Sequence, residues 1–393
     1  MAEKANRDSE GVFIRSDGEL VPNEIAEETI DFLWSIHKEA DKFSRQAQKF
    51  AHQIPKSMGH FFEERFQTWV EEKEPETRLW RKQLFNWFIK FEECDTGCDD
   101  FYKHSCISWG EYLDYGEDAS FAEGYQSVVK TLLSQLKNTP VLLEHRVTRI
   151  DYDHQSAKVF TANGKVFQAD HLISTIPLGV LKTFHRQIFN PSLPNDLITA
   201  IESISFGTID RVKLDFEEAF WDLNDPGLLI VQEQETRIET VDRTNWFRHI
   251  FTFDEVIYHP TVLMGWLSGE AARFMENLTD EEIAEDVCKY LEGIMRKNKN
   301  DPEWKLPTLR QIVVTRWHSN PNFKGVYSYR NQTEDAKGVT NKDLSSPVYV
   351  NGCPRILFAG EATDFSHYGT VHGAMSAAQR EVERLEAFWK NNQ

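Results

Sequence analysis

The chain is short of positive charge. Lys and Arg number 44 against 63 Asp and Glu, a formal net charge of −19. Phosphate backbones are held by basic surfaces, so this balance argues against a nucleic-acid partner. Long apolar runs are missing too. VLMGW at 262–266 is among the longest, well short of the roughly 20 residues of a membrane helix, so no membrane partner is expected. MAEKANRDSE holds no apolar signal-peptide core, and KNNQ is neither a peroxisomal nor an ER-retention tripeptide, so a cytoplasmic protein is expected. The sequons at Asn277 and Asn331 therefore carry little weight. Cysteines number five, an odd count that fits reduced thiols. Cys94, Cys98, His104 and Cys106 lie close together in CDTGCDDFYKHSC. Structural zinc takes two ligand pairs, and the second is poor here, so no metal is expected. Closely spaced glycines are also absent. No glycine stands two residues from another, so even the first half of a G-x-G-x-x-G dinucleotide fingerprint is missing.

Aromatic residues are plentiful, with 27 Phe, 11 Trp and 11 Tyr, which argues for a packed globular chain. Its 393 residues suggest two to three domains. Residues 22–53 carry Ile25, Ile30, Leu33, Ile36 and Ala40 at near-helical spacing. Residues 60–93 repeat the style, with Pro75 dividing them into two helices. From about 121, Tyr125, Val128, Val129, Leu132, Leu133 and Leu136 mark one face of another helix. VLLEHRVTRIDYDH, AKVFTANGKVFQAD and HLISTIPLGVL then read as strands. Asn163-Gly164 is a hairpin signal for a type I′ turn, which needs positive φ at both positions. A second sheet starts at IDRVKLDFEEAFW (209–221). Thr279 and Glu282 form a capping box ahead of a stripe of Ile283, Val287, Leu291 and Ile294.

The segment RILFAGEATDFSHYGTVHGAMSAAQREVERLEAFW (355–389) is the most structured signal. ILFA reads as a strand buried on both faces. Gly360 permits a close turn, and Glu361 follows at the strand's carboxyl end, where open α/β sheets bind ligands. Val371, Ala374 or Met375, Ala378, Val382, Leu385 and Phe388 define one helical stripe. Thr370 and Val371 thus lie near a helix N-terminus, which favours negative charge. An ordinary strand-loop-helix packing unit fits this periodicity equally well.

The strings themselves decide. GEAT, then YGTVHGA, then a helix with QRE resembles the flavin-containing amine oxidases, and among them the polyamine (spermine and acetylpolyamine) oxidases. WGEYLDYGEDASFAEGYQSVVKTL, RVTRIDY, STIPLGVLK, FGTIDRVKLDFEEAFW and RWHSNPNFKGVYSYR follow in family order, over about 280 residues. The resemblance implies an α+β or α/β chain with a two-domain FAD-linked amine oxidase fold. Its substrate domain would be helices plus a mixed sheet, and its FAD-binding domain incomplete. The implied segments are a helical part of the substrate domain (1–107), a helix and β-meander of the FAD domain (108–182), the substrate-domain sheet and helices (183–320), and a C-terminal FAD-binding segment (321–393). It further implies that Gly360 and Glu361 hold the ribityl-pyrophosphate part of FAD, and that Thr370, Val371 and Trp317 lie by the flavin ring. Val147 would meet the adenine side through its backbone. Tyr368 would wall the amine site, and Glu111 would steer a cationic polyamine.

Two departures qualify that pattern. Without the glycine fingerprint, the chain is expected to lack the family's N-terminal dinucleotide-binding half, leaving ILFA partly unprotected. Many family members also carry a lysine where Arg211 stands. Arginine stays protonated and cannot relay a proton as lysine does. Lys213, two residues on, shares its strand face and is the candidate to substitute for it. The expected activity is oxidation of a polyamine C–N bond by FAD and O₂, giving an aldehyde, an amine and H₂O₂. The alternative is a catalytically inactive chain that binds a polyamine or a protein partner.

Overall fold

Three α-helices, α1 (Asn23–Ser44), α2 (Met58–Glu71) and α3 (Arg78–Asp95), follow one another in the first quarter of the chain. The computed structural model describes residues 2–4, 11–46, 57–113, 119–121, 123–223 and 227–392. The quoted stretch WGEYLDYGEDASFAEGYQSVVKTL therefore lies partly outside the described residues. As expected, Pro75 separates α2 from α3, where it starts a short 3₁₀ turn; a helix start has no use for the missing N–H. Leu33, Ile36, Phe61, Phe62, Phe66 and Phe88 are almost fully buried. They form one core with Ile209, Leu229 and Val231 of a sheet beneath the helices.

That sheet has six strands. Its order is β11 (Leu309–Val314), β7 (Ile209–Phe216), β10 (His259–Ser268), β9 (Thr252–Val256), β8 (Gly227–Val231), β1 (Val12–Arg15). Only the β8–β1 pair is parallel. Strand residues alternate between faces. Val212, Leu214 and Phe216 join the second core, with α7 (Gly269–Met275) and the Ile283, Val287, Leu291, Ile294 stripe of α8 (Asp280–Asn298). Arg211, Lys213 and Asp215 face the other way. Thr279 accepts from Glu282 N (3.2 Å) and Glu282 from Thr279 N (2.9 Å), the reciprocal cap expected for α8.

A third core belongs to a separate group of elements. The meander β2 (Val147–Tyr152), β3 (Ala157–Thr161), β4 (Val166–Ala169) is joined by β6 (Phe189–Asn190), parallel to β2. β5 (Leu172–Ser174) runs parallel to β13 (Cys353–Phe358), whose other neighbour is β12 (Val348–Val350), antiparallel. α5 (Leu178–Ile188), α6 (Asn195–Ser203), α9 (Gln332–Lys337) and α10 (Asn341–Leu344) complete this part. The chain leaves it for the six-stranded sheet at Ile209, and returns after the sheet's last strand.

Four expectations are corrected here. ILFA is not partly unprotected: Ile356, Leu357, Phe358 and Ala359 are all buried. β13 is flanked on both edges, and Phe358 meets Phe189 at 6.0 Å. The hairpin at Asn163-Gly164 forms without a type I′ turn, since only Gly164 has positive φ (81°). Gly164 N donates to Thr161 O (2.9 Å), as in a type I turn closed by a left-handed glycine. Both residues of another Asn-Gly pair, Asn351 (51°) and Gly352 (79°), do have positive φ, and they turn β12 into β13. The helix after Gly369, α11 (Val371–Asn391), forms, yet it buries Gly373, Ala377 and Glu381 instead of the apolar stripe. Small residues let the helix approach β13, whereas Val371, Met375 and Val382 stay about half exposed. Likewise α4 (Gln126–Gln135) buries none of its residues, and its Val129, Leu132 and Leu133 face outward.

Candidate functional site

Two residues past β13 comes Gly360, whose φ of 121° only glycine adopts comfortably, and open space lies where a Cβ would point. The chain then makes a single 3₁₀ turn, Glu361–Thr363. Oε2 of Glu361 accepts from Gly369 N (2.7 Å), Ser328 Oγ (2.8 Å) and Ser328 N (3.3 Å). Burial raises the carboxyl's pKa, and these three donors act against that rise. The loop so closed delivers Thr370 as the N-cap of α11, its hydroxyl accepting from Gly373 N (3.0 Å). Gly373 is obligatory: a Cβ there would sit 2.0 Å from the His367 carbonyl oxygen. Gly360, Glu361, Thr370 and Val371 therefore gather at one place, the carboxyl end of β13 beside a helix N-terminus. Next to them, Ser174 at the end of β5 accepts from Ala359 N (3.0 Å) through its carbonyl. The buried Ser174 hydroxyl has no partner among the described residues.

Tyr327 connects this place to the six-stranded sheet. Its hydroxyl donates to Cys94 O (3.1 Å). A Cβ on Gly97 or Gly369 would lie 2.2 or 3.1 Å from its ring, so the ring is wedged between the end of α3 and the loop before α11. The Arg211 guanidinium acts electrostatically on the same phenol. Arg211 itself lies 3.9 Å over the ring of Trp266, its cross-strand neighbour, a cation–π contact. Lys213 follows on the same face, opposite Met264 and Val313. Asp254, on β9, carries a carboxyl raised by burial and held by Thr252 Oγ1 at 2.7 Å. Trp317 is partly exposed and lies edge-on to Phe323 at 5.1 Å. Thr315, two residues before it, accepts from Arg211 N (2.8 Å).

Glu111 and Tyr368 assemble around a different cation. Arg330, 2% exposed, donates to Glu111 (3.0 Å) and pairs with Glu334 (2.9 Å) and Asp335 (3.6 Å). Burial pushes Glu334 up to about 7. Tyr368 is buried edge-on to Tyr112 at 5.5 Å, within the field of Arg330 and Glu111. Glu111 is thus already engaged by a buried guanidinium. Val147 opens the meander opposite Thr161, and β6 pairs only with Ile150 and Asp151, beyond it.

A cleft of about 770 Å³ opens between α2, α3, α7 and residues 235–241, lined by none of these candidates. Its cations are all engaged: Lys82 by Glu235, Lys90 and Arg237 by Glu93, Lys103 by Asp100, Arg273 by Asp99. Sequence reasoning did not single out Tyr327, Ser328 or Arg330, although all three lie within the quoted YSYR. Nor did it name Asp254, whose burial comes from the strands on either side of β9.

The family model described as flavin containing amine oxidoreductase matches residues 6–385. The human peroxisomal N(1)-acetyl-spermine/spermidine oxidase is 32% identical over 344 residues, covering 82% of this chain and 65% of that protein. The probable polyamine oxidase 5 of Arabidopsis thaliana is 29% identical, covering 79% of this chain and 63% of that one. The chain thus spans less than two thirds of either relative. Among solved structures, a putrescine oxidase bound to putrescine superposes with a TM-score of 0.68, covering 98% of this chain and 83% of that one at 17% identity. Fold, motif order and family match agree: the chain belongs to the flavin-containing amine oxidoreductases.

Proposed function

We propose that this chain serves the FAD-dependent oxidation of a polyamine, spermine or an acetylated polyamine, at an amine C–N bond. In balance, the amine, O₂ and one water give an aldehyde, a shorter amine and H₂O₂. The observation that carries this reading is the closure of Glu361 onto Gly369 and Ser328 beside the α11 N-terminus. The open space at Gly360 and the unpartnered Ser174 hydroxyl fit a bound group at the carboxyl ends of a parallel strand pair. When bound, the flavin supplies a two-electron acceptor that O₂ reoxidises.

This chain's own residues would then divide the work. Glu361 holds the cofactor loop in place. Thr370 spends its hydroxyl on Gly373 N, so the first-turn N–H groups of α11 present the positive end of the helix dipole to developing negative charge. Trp317 and Tyr327 would flank the flavin ring. Arg211 contributes a fixed positive charge rather than a base, and Lys213 on the same face is the candidate to hold or move a proton. A net charge of −19 favours the approach of a polycation.

Arg211 in place of lysine, with no G-x-G spacing in the chain, favours a second reading: a protein that binds polyamine without turning it over. Purified protein separates the two. Flavin absorbance with peroxide release on adding spermine or an acetylated polyamine supports the oxidase. Colourless protein that binds spermine in a calorimeter supports the second reading. Colourless protein that does neither overturns both.

A further inference from the structure

The five residues Thr315–Ser319, with Trp317 at their centre, are gripped by two carboxyl groups from different elements. Asp210 on β7 takes Thr315 Oγ1 (2.8 Å) and Trp317 N (3.3 Å), both on Oδ1. Glu276, just past α7, takes His318 N on Oε1 (2.7 Å) and Ser319 N on Oε2 (2.5 Å). Asp210 is fully buried and Glu276 is 9% exposed. Oδ2 of Asp210 is buried and receives no donor among the described residues.

An ionised oxygen in that position would be desolvated with nothing to compensate it. The cations nearby are already committed. Arg273 of α7 donates to Asp99 (2.8 Å) and Thr208 (3.1 Å). Arg316 donates to Asp280 (2.7 Å) and Leu278 O (2.9 Å). Arg211 and Lys213 point to the opposite face of β7, and the His318 side chain is exposed. The two carboxyl groups take successive backbone donors, Trp317 N and His318 N, and so stand side by side; with no cation paired to either among the described residues, they relieve the conflict by holding one proton between them.

We infer that Asp210 and Glu276 share one proton and, as a pair, are positioning residues that fix the Trp317 segment. Burial first, then the hydrogen bond to Glu276, pushes the Asp210 carboxyl up to about 8. Loss of that proton in alkali sets two anions against each other and loosens Thr315–Ser319. That Trp317 faces a flavin rests on the proposed function. The proton-sharing pair does not.

Hydrogen–deuterium exchange of peptides spanning 310–325, corrected for the intrinsic pH dependence, tests the inference between pH 6.5 and 9.5. Protection at 317–319 is expected to hold below about pH 8 and to fall at least tenfold by pH 9.5, while α8 peptides stay unchanged. Asp210→Asn keeps a permanent donor to Glu276, so its protection should remain at the wild-type level across the range. Glu276→Gln should also remove the alkaline step, but its amide nitrogen cannot accept from a backbone N–H, so protection at 318–319 should lie below the wild-type level at every pH. Asp210→Ala should lose protection at every pH. Should that variant unfold, losing α8 protection as well, the two isosteric variants still decide. The same alkaline step in Asp210→Asn as in the wild type, or no step in the wild type, would overturn the inference. Colourless protein that shows the expected pattern would leave the pair standing and remove the flavin reading.

Discussion

Arg211 and Lys213 frame the chemical question at the scale of single residues. The guanidinium lies over the Trp266 ring and stays charged, so of the two basic groups on this face of β7 only Lys213 can release and take back a proton. In flavin-loaded protein, Lys213→Met should lower both amine turnover and flavin reoxidation at least tenfold in stopped-flow traces. Unchanged rates would show that Lys213 takes no part. His104 offers a prediction that needs no cofactor. It is 3% exposed, stacked on Tyr329 and edge-on to Trp109. Burial lowers its pKa to about 4, with Arg330 adding to the fall and the Ser105 carbonyl opposing it. The unfolded chain protonates this histidine near 6.5, so between pH 6.5 and 4 the unfolded state holds more protons. Stability is therefore full above about 6.5 and is lost as pH falls. The His104 share at pH 5 is about 2 kcal/mol. Urea midpoints at pH 7 and pH 5 should drop further in the wild type than in His104→Gln. Some slope should persist in the variant, since burial also lowers His249, to about 3.

Among the elements, α11 and β13 are tied by Arg380. Its guanidinium donates to Thr363 O (2.9 Å), Phe358 O (3.0 Å) and Thr363 Oγ1 (3.0 Å), and its Nε to the buried Glu381 (2.6 Å). Arg380→Ala would strand these carbonyls and leave Glu381 only Arg384, at 3.3 Å. Arg380 is about one-third exposed, so a loss of about 2 kcal/mol is expected in urea unfolding, with partial recovery in Arg380→Lys. Glu381 also explains why the α11 face was misread. A buried carboxylate between two arginines looks like surface in an apolar-stripe count, while the stripe itself faces out. Helices α1–α3 and α8 were legible because Pro75, the Thr279–Glu282 cap and 3.6-residue spacing are local signals. The burial of β13 was not, since it depends on β5, some 180 residues earlier, and on the hairpin from β12. Asn163-Gly164 marked a turn, but Asn163 lacks the positive φ that Asn351 has before Gly352, so the dipeptide alone cannot assign the turn type. The site divides the same way. Gly360, Glu361 and Thr370 fall within one eleven-residue stretch, so their gathering at the end of β13 follows from local signals, whereas Asp210, Glu276 and Arg330 act on partners that sequence spacing does not reveal.

On the scale of the whole molecule, two opposed surface properties decide how the chain behaves in solution. Val129, Leu132, Leu133 and Leu136 around α4, with Val371, Met375 and Val382 of α11, are all more than 40% exposed. Apolar surface concentrated on two helices favours association. A net charge of −19 opposes it through repulsion between copies. Repulsion is screened by salt and apolar attraction is not, so salt decides which one wins. At 0.1 M the Debye length is about 10 Å and at 1 M about 3 Å. The chain should therefore sediment as a monomer at low salt and self-associate near 1 M sodium chloride. The Leu132→Glu/Leu133→Glu double variant should stay monomeric at both, with its thermal midpoint within about 2 °C of the wild type, because neither leucine is buried. Association that is strongest at low salt, or that persists unchanged in the double variant, would mean that charge or some other surface joins the copies.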